Sequence, residues 1–371
     1  MARAEEVQAI DQLHQAAQAR LGFAAAFVAL AEWQAVSKLN PNDTGASWLT
    51  NSLLVIVAIR KMSRRLAVAH YQLVRALETG RTLGVPEGSP ATTTSTTLGG
   101  LRRNFRDAAI DVAALPSTRT RSDDPDIRWF EEKLAATPPD IVPDAIHLDD
   151  VEVDPLIQRL LDREGTNDSD PVAVDRYEWP DDWSRQEVDD AFRALLRKQI
   201  KDAADKVKDL RSSPEITPDE ALSGIEEVHS VQGSIGSGTV DAAGISAGRD
   251  AVNRAIRSDR LVLAVARGTG PDPCSFCAML ASRGFVFKND ISAGVSDDVT
   301  RVFHSHCHCY PIYKFVKDSQ LPPLSQYFKT MWPIVTQGYA GREARKAWRR
   351  WIYAQRKANP DAPHGALSTI N

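Results

Sequence analysis

ASWLTNSLLVIVAIRKMSRRLAVAHYQLVRALET, residues 46–79, decides the fold class. It holds neither Pro nor Gly, and its apolar residues Leu53, Val57, Met62, Leu66, Tyr71, Val74 and Leu77 recur every three to five positions. That period is helical, and Gly80 supplies the stop. Upstream, residues 4–38 lack Pro and carry only Gly22, with Leu13, Ala17, Leu21, Ala24, Val28, Leu30 and Trp33 at helical steps. The turn Asn40-Pro41-Asn42-Asp43 separates the two runs. Two long helices joined by a short polar turn make an antiparallel hairpin. The most apolar run, LLVIVAI at 53–59, is far shorter than the about 20 residues a bilayer span requires. Arg60, Lys61, Arg64 and Arg65 follow it at once. The reading is a buried stretch of soluble helix, with no membrane segment and no signal-peptide order in MARAEEVQAIDQ. The protein is expected to stay soluble in the cytosol where it is made.

Working outward, residues 84–100 (GVPEGSPATTTSTTLGG) form a polar linker, and a third helix is expected over 101–115. Residues 116–183 are rich in Asp and Pro, which denies long helices and central strands. An extended arm with short helices is expected there, packed through Trp129, Phe130, Trp179 and Trp183. The whole chain has 371 residues and a net charge of -4, so it is no general nucleic-acid binder. From 122 to 190, however, 22 Asp+Glu stand against 6 Lys+Arg, a balance of -16. Such a segment is either solvated surface or an interaction region. Ser184 with Glu187 and Thr217 with Glu220 are capping boxes, each opening a helix. These helices are expected to run to about 210 and 232. GSIGSG at 233–238 reads as a flexible break before a third helix over 240–257. LVLAVAR (261–267), residues 285–287 and CYPIYKF (309–315) read as short strands. The expected organisation is mainly α. A helical region (1–115) precedes the acidic arm (116–183), a helical segment (184–260), a small α+β module (261–320) and a basic tail helix (321–371).

All four cysteines fall in that small module: Cys274, Cys277, Cys307 and Cys309, as C-x2-C, then C-x-C within FHSHCHC. Two intervening residues let one tight turn aim both thiolates at one ion, and Cys307 and Cys309 share a face if extended. Zinc suits four thiolate or imidazole ligands in a reducing compartment. His304, two residues short of Cys307, is a fifth candidate, so either it or a C-x-C cysteine completes the set. Two disulfides are the alternative reading. A cysteine nucleophile is disfavoured, because a zinc-bound thiolate is a poor one, and no G-x-S-x-G or phosphate loop occurs. His14, His70, His147 and His229 read as lone packing histidines. The tail helix GREARKAWRRWIYAQRK carries seven Lys+Arg against one Glu. It either buries Trp and solvates Arg, or faces an anionic partner: DNA phosphates or the chain's own acidic arm.

From about Thr239 to Pro311 the chain resembles the C-terminal domain of the phage Mu F-like minor head proteins. The carriers are AGISAGRDAVNRAIRSDRLVLAVARGTGPDPCSFCAMLASRGFVF and FHSHCHC. The likeness is strongest to the version in tailed phages of actinobacteria, often labelled capsid maturation protease. The resemblance implies a minor capsid or head-morphogenesis protein that associates with the portal and enters the procapsid in few copies. Its partners would be the portal, major capsid and scaffold proteins, and it would reside in the virion; from its charge, the basic tail helix could face packaged DNA or an acidic portal surface. A maturation protease is the alternative, although no nucleophile with a base can be named here. Position by position, the motif falls on Cys274, Cys277, His304, Cys307 and Cys309. Many relatives carry Pro-Asn where Ser305 and His306 stand. The change keeps the ligands and adds a histidine.

Overall fold

The computed structural model describes residues 3–87, 89–113, 115, 122–137, 167–270, 273–287 and 308–358. The protein is mainly helical. Helices α1 (Arg3–Gln34) and α3 (Ala46–Thr79) form the expected hairpin around the short α2 (Pro41–Thr44). Gly80, at φ 72°, ends α3 in the left-handed conformation that glycine adopts without penalty. Pairings across the hairpin run antiparallel: Trp48 Nε1 donates to Ala29 O (2.9 Å), and Gln18 Nε2 donates to Ser63 O (3.0 Å). The two capping boxes form as read, opening α6 (Arg185–Ser212) and α7 (Pro218–Ser258). The remaining helices are α4 (Leu98–Ala113), α5 (Pro125–Ala136), α8 (Ser275–Ala281), α9 (Pro323–Val335) and α10 (Gly341–Ala358).

The expected break at 233–238 does not occur, because α7 runs through it unbroken. The glycines there are sites of close approach. A Cβ on Gly233 would lie 2.5 Å from Trp33 Cδ1, one on Gly236 2.8 Å from Trp48 Cζ2, and one on Gly244 2.5 Å from Ile59 Cγ2. Bare backbone lets α7 lie against α1 and α3, and the burial gained outweighs the weak helix propensity of glycine. The contacts advance together along α3 and α7: Trp48 meets Gly236, Ile59 meets Gly244, and Ser63 Oγ donates to Ile245 O (3.1 Å). The two helices therefore run parallel, with α1 antiparallel to both. This trio buries Leu21, Val28, Trp33, Ile56, Leu66 and Val240.

The arm and linker hold a sheet that their Pro and Asp content concealed. β3 (Pro171–Asp175) pairs parallel with β1 (Arg81–Leu83) and antiparallel with β2 (Ser95–Thr97), in the order β1-β3-β2. The acidic segment is gripped by the basic cluster of α3. Arg60 reaches Asp182 (2.6 Å), Lys61 reaches Asp124 and Asp126 (both 2.7 Å), and Arg64 Nη2 donates to Pro180 O (2.7 Å).

At the C-terminal end, β4 (Ala264–Gly268) pairs antiparallel with β5 (Tyr310–Lys314), with Ala266 opposite Ile312. Phe287 adds only an isolated bridge to Val265, so residues 285–287 are not the strand expected. β4 stands between Phe287 and β5, pairing with both. The strand pair is not self-contained. Val265, Tyr313 and Phe315 enter the same core as α1 and α3, since two strands cannot bury a face alone. A smaller second core joins Ala278 and Ala281 of α8, Phe328 of α9, and Trp348 and Ile352 of α10. Among the described residues no helix is long and apolar enough to cross a membrane.

Candidate functional site

Cys274 and Cys277 occupy a knuckle between β4 and α8. Cys274 is the N-cap of α8, and its Sγ accepts from Cys277 N–H at 3.4 Å. The two sulfurs stand 3.3 Å apart. Arg267, on β4 and fully buried, donates from Nη2 to Cys277 Sγ at 3.3 Å. Positive charge this close to Cys277 Sγ favours the thiolate form. The pair thus places two sulfurs on one turn, with a backbone amide directed at one and a cation at the other. Cys309 is buried where the chain enters β5. His304 and Cys307 lie outside the described residues. Among the described residues no three His, Cys, Asp or Glu side chains gather into a group that could hold a metal. The described part of the site is therefore the Cys274–Cys277 pair.

A second polar cluster lies beneath β5, and the sequence reading missed it. His14 and His70 are not isolated; their rings stack at 4.1 Å and 14° where α1 crosses α3. Asp11 Oδ1 sits 2.8 Å from His70 Nε2, and Tyr313 OH is 2.7 Å from His70 Nδ1. With Asp11 ionised, the network assigns the His70 proton to Nε2 and leaves Nδ1 to accept from Tyr313. The rings face an internal cavity of about 20 Å³, lined also by Gln18, Arg249, His308 and Tyr310. His308 pairs with the fully buried Asp241 (3.1 Å) against Gly22, where a Cβ would collide with both. The usable signal was the spacing Asp11, His14 and Gln18 on one face of α1, opposite His70 on α3. His229 is the packing residue expected, its Nε2 3.0 Å from Val36 O; His147 lies outside the described residues.

Burial sets the protonation of this cluster. It holds His70 down at about 3 and His14 well below its ordinary value, and raises Asp11 to about 7. Both imidazoles are neutral in the folded protein and charged in the acid-unfolded chain. The stability they contribute is complete above about pH 6.5 and is lost as pH falls. Asp11 acts in the opposite sense, taking its proton near 7 when folded and near 3.8 when unfolded. Between about pH 5 and 6 it offsets one imidazole, so unfolding takes up about one proton here, about 1.4 kcal/mol per pH unit. In Asp11→Asn that offset is gone, and the slope should rise to roughly two protons. Urea titrations across this range check it; equal slopes in the two proteins would refute the assignment.

A buried ionic network lies at the end of α3. Arg75 binds Asp259 through Nε (2.6 Å) and Asp175 through Nη2 (2.7 Å), and Tyr71 OH donates to Asp259 Oδ2 (2.9 Å). α10 buries Ala344, Ala347, Trp348 and Ile352 and exposes Arg342, Arg345, Arg349 and Arg350. Trp348 Nε1 donates to Ser275 O (3.0 Å) and Arg356 Nη2 to Pro273 O (2.9 Å), so α10 is seated on the residues flanking Cys274.

The family model described as VG15 protein matches residues 157–332. This is a phage protein family, and the match points to a phage-encoded protein. The matched span contains β3, α6, α7, the strand pair, all four cysteines and most of α9; it ends before α10. No match to the chain was found among curated proteins or among solved structures.

Proposed function

We propose that this chain is a minor capsid protein of phage head morphogenesis, acting at the portal and in the procapsid interior, with a structural zinc site. The observation that carries the reading is a coincidence of position. The phage family match spans every cysteine, and its described pair is built as a knuckle with a cation at one sulfur. Cys274 and Cys277 would supply two ligands, and His304, Cys307 and Cys309 are the candidates for the rest. The metal's contribution would be to neutralise thiolates and staple α8, with the α10 seat beside it, to the end of β5. The partners are the portal, major capsid and scaffold proteins, and the residence is the virion interior.

The alternative from the sequence reading is a capsid maturation protease. The buried Asp11–His70–Tyr313 row does not favour it, since its terminal group is a phenol in the core whose ionisation burial opposes strongly. Co-expression with the portal, major capsid and scaffold proteins tests both readings. The chain should co-purify with portal-containing particles, and mass spectrometry should find capsid and scaffold proteins uncut. Cleavage that depends on this chain would establish the protease instead. Particles formed without it would overturn the assembly reading.

A further inference from the structure

We infer that the outer face of α10 docks on the phosphate backbone of duplex DNA. The inference stands apart from the assembly and zinc readings, because it rests on charge and exposure along one helix beyond the family match. Arg342, Arg345, Lys346, Arg349 and Arg350 are exposed, and Tyr353 is 56% exposed. Among the described residues only Lys346 of these has an ion pair, with Glu343, the one acid of the helix (2.9 Å). Arg342, Arg345, Arg349 and Arg350 meet no carboxylate there.

The molecule as a whole carries a negative net charge, and the cations that lie against its acidic segment are occupied. Arg60, Lys61, Arg75, Arg81, Arg102 and Arg185 all pair with Asp or Glu. Those pairs engage Asp124, Asp126, Asp168, Asp175 and Asp182, so the described part of the acidic segment is held by α3, β1, α4 and α6 rather than by α10. Five cations within about 12 Å of helix axis repel one another and favour an external anion. Arg342, Arg345 and Arg349 make one row, and Lys346 and Arg350 the next, in steps of about 4.5–6 Å. Phosphates follow each strand every 3.4 Å or so of the duplex axis, so successive side chains can reach alternate phosphates. Guanidinium forks match phosphate oxygens in pairs.

An anionic membrane does not fit. An interfacial helix must insert its apolar face, and the apolar face of α10 is already buried against α8 and α9. That anchorage also fixes which side faces outward.

The test uses the full chain and a fluorescein-labelled 30-base-pair duplex of arbitrary sequence, followed by anisotropy from about 50 to 200 mM salt. Binding should weaken roughly 100-fold over that range, the slope of about four neutralised phosphates. A variant with Arg342→Gln, Arg345→Gln, Arg349→Gln and Arg350→Gln should bind at least tenfold more weakly at low salt, with a much shallower slope. Glutamine keeps helix propensity at exposed positions. A charge-matched control replaces Lys198, Lys201, Lys206 and Lys208, all exposed on α6, by Gln and should bind as the parent does. Equal losses in the two variants would reduce the effect to net charge and overturn the proposal. So would displacement of the duplex by a peptide of residues 138–166 at comparable concentration, which would make the chain's own acidic segment the occupant. Equally tight binding of polyglutamate would overturn it as well.

Discussion

Cys277→Ser should leave the protein without zinc and with its C-terminal helices loosened. Elemental analysis of the parent, purified without chelator, should find about one zinc per chain, and the variant less than about 0.2. The effect is large for two reasons. Structural zinc contributes on the order of 10 kcal/mol to the element it closes. The substitution also leaves Arg267, fully buried, facing a neutral hydroxyl in place of sulfur. Hydrogen exchange should rise in α8, α9 and α10, because α10 hangs on Ser275 and Pro273 beside the knuckle. Exchange in α1, α3 and α7 should change less, since Cys277 is one residue at the margin of a core filled mostly by residues of those helices. Cys309→Ser distinguishes a ligand from a core residue: retained zinc would place Cys309 outside the metal shell. A parent protein with less than about 0.2 equivalents of metal would end the zinc reading.

The second large effect is expected at Arg75, far from the cysteines. Arg75→Met should destabilise the fold by about 3–5 kcal/mol, the cost of stripping a buried ion pair of one partner. Arg75 and Asp259 side chains are each 2% exposed, and the guanidinium spans both oxygens of Asp259 at 2.6 and 3.2 Å. Without it, the Asp259 carboxylate is buried with Tyr71 OH and the Leu261 amide as its named donors. Adding Asp259→Asn to Arg75→Met should recover part of the loss, because no uncompensated charge then remains inside. Urea unfolding of the single and double variants measures the coupling. A loss below about 1 kcal/mol in the single variant would show that the pair contributes little.

Local rules carried the sequence reading where the deciding interactions are local. The bounds of α3 and its glycine stop follow from periodicity and one left-handed residue. The two capping boxes form because each needs only four consecutive residues. The same rules misread GSIGSG, since a glycine's meaning depends on what lies opposite. Trp33 and Trp48, about 200 residues away in sequence, turn a flexible-looking stretch into a tight helix crossing. β3 was hidden for a related reason: its partners β1 and β2 lie some 75–95 residues upstream, and three-residue strands carry no period of their own.

At the candidate site the division is similar. Cysteine spacing made Cys274 and Cys277 legible as a pair, because two intervening residues suffice to bring two sulfurs onto one turn. Nothing local announced that Arg267 would point at Cys277, or that His14 and His70 would stack. The sequence by itself determined a mainly helical chain, the N-terminal hairpin, the two capped helix starts, the cysteine knuckle and the basic tail helix. Tertiary structure alone decided that α7 is one helix parallel to α3. It decided too that the acidic segment is held by the α3 cations while the α10 arginines have no carboxylate partner among the described residues. The physical reason is range: propensity, capping and tight turns act within a few residues. Close helix approach, burial of charge and the choice of ion-pair partner exist only once distant segments have been brought together.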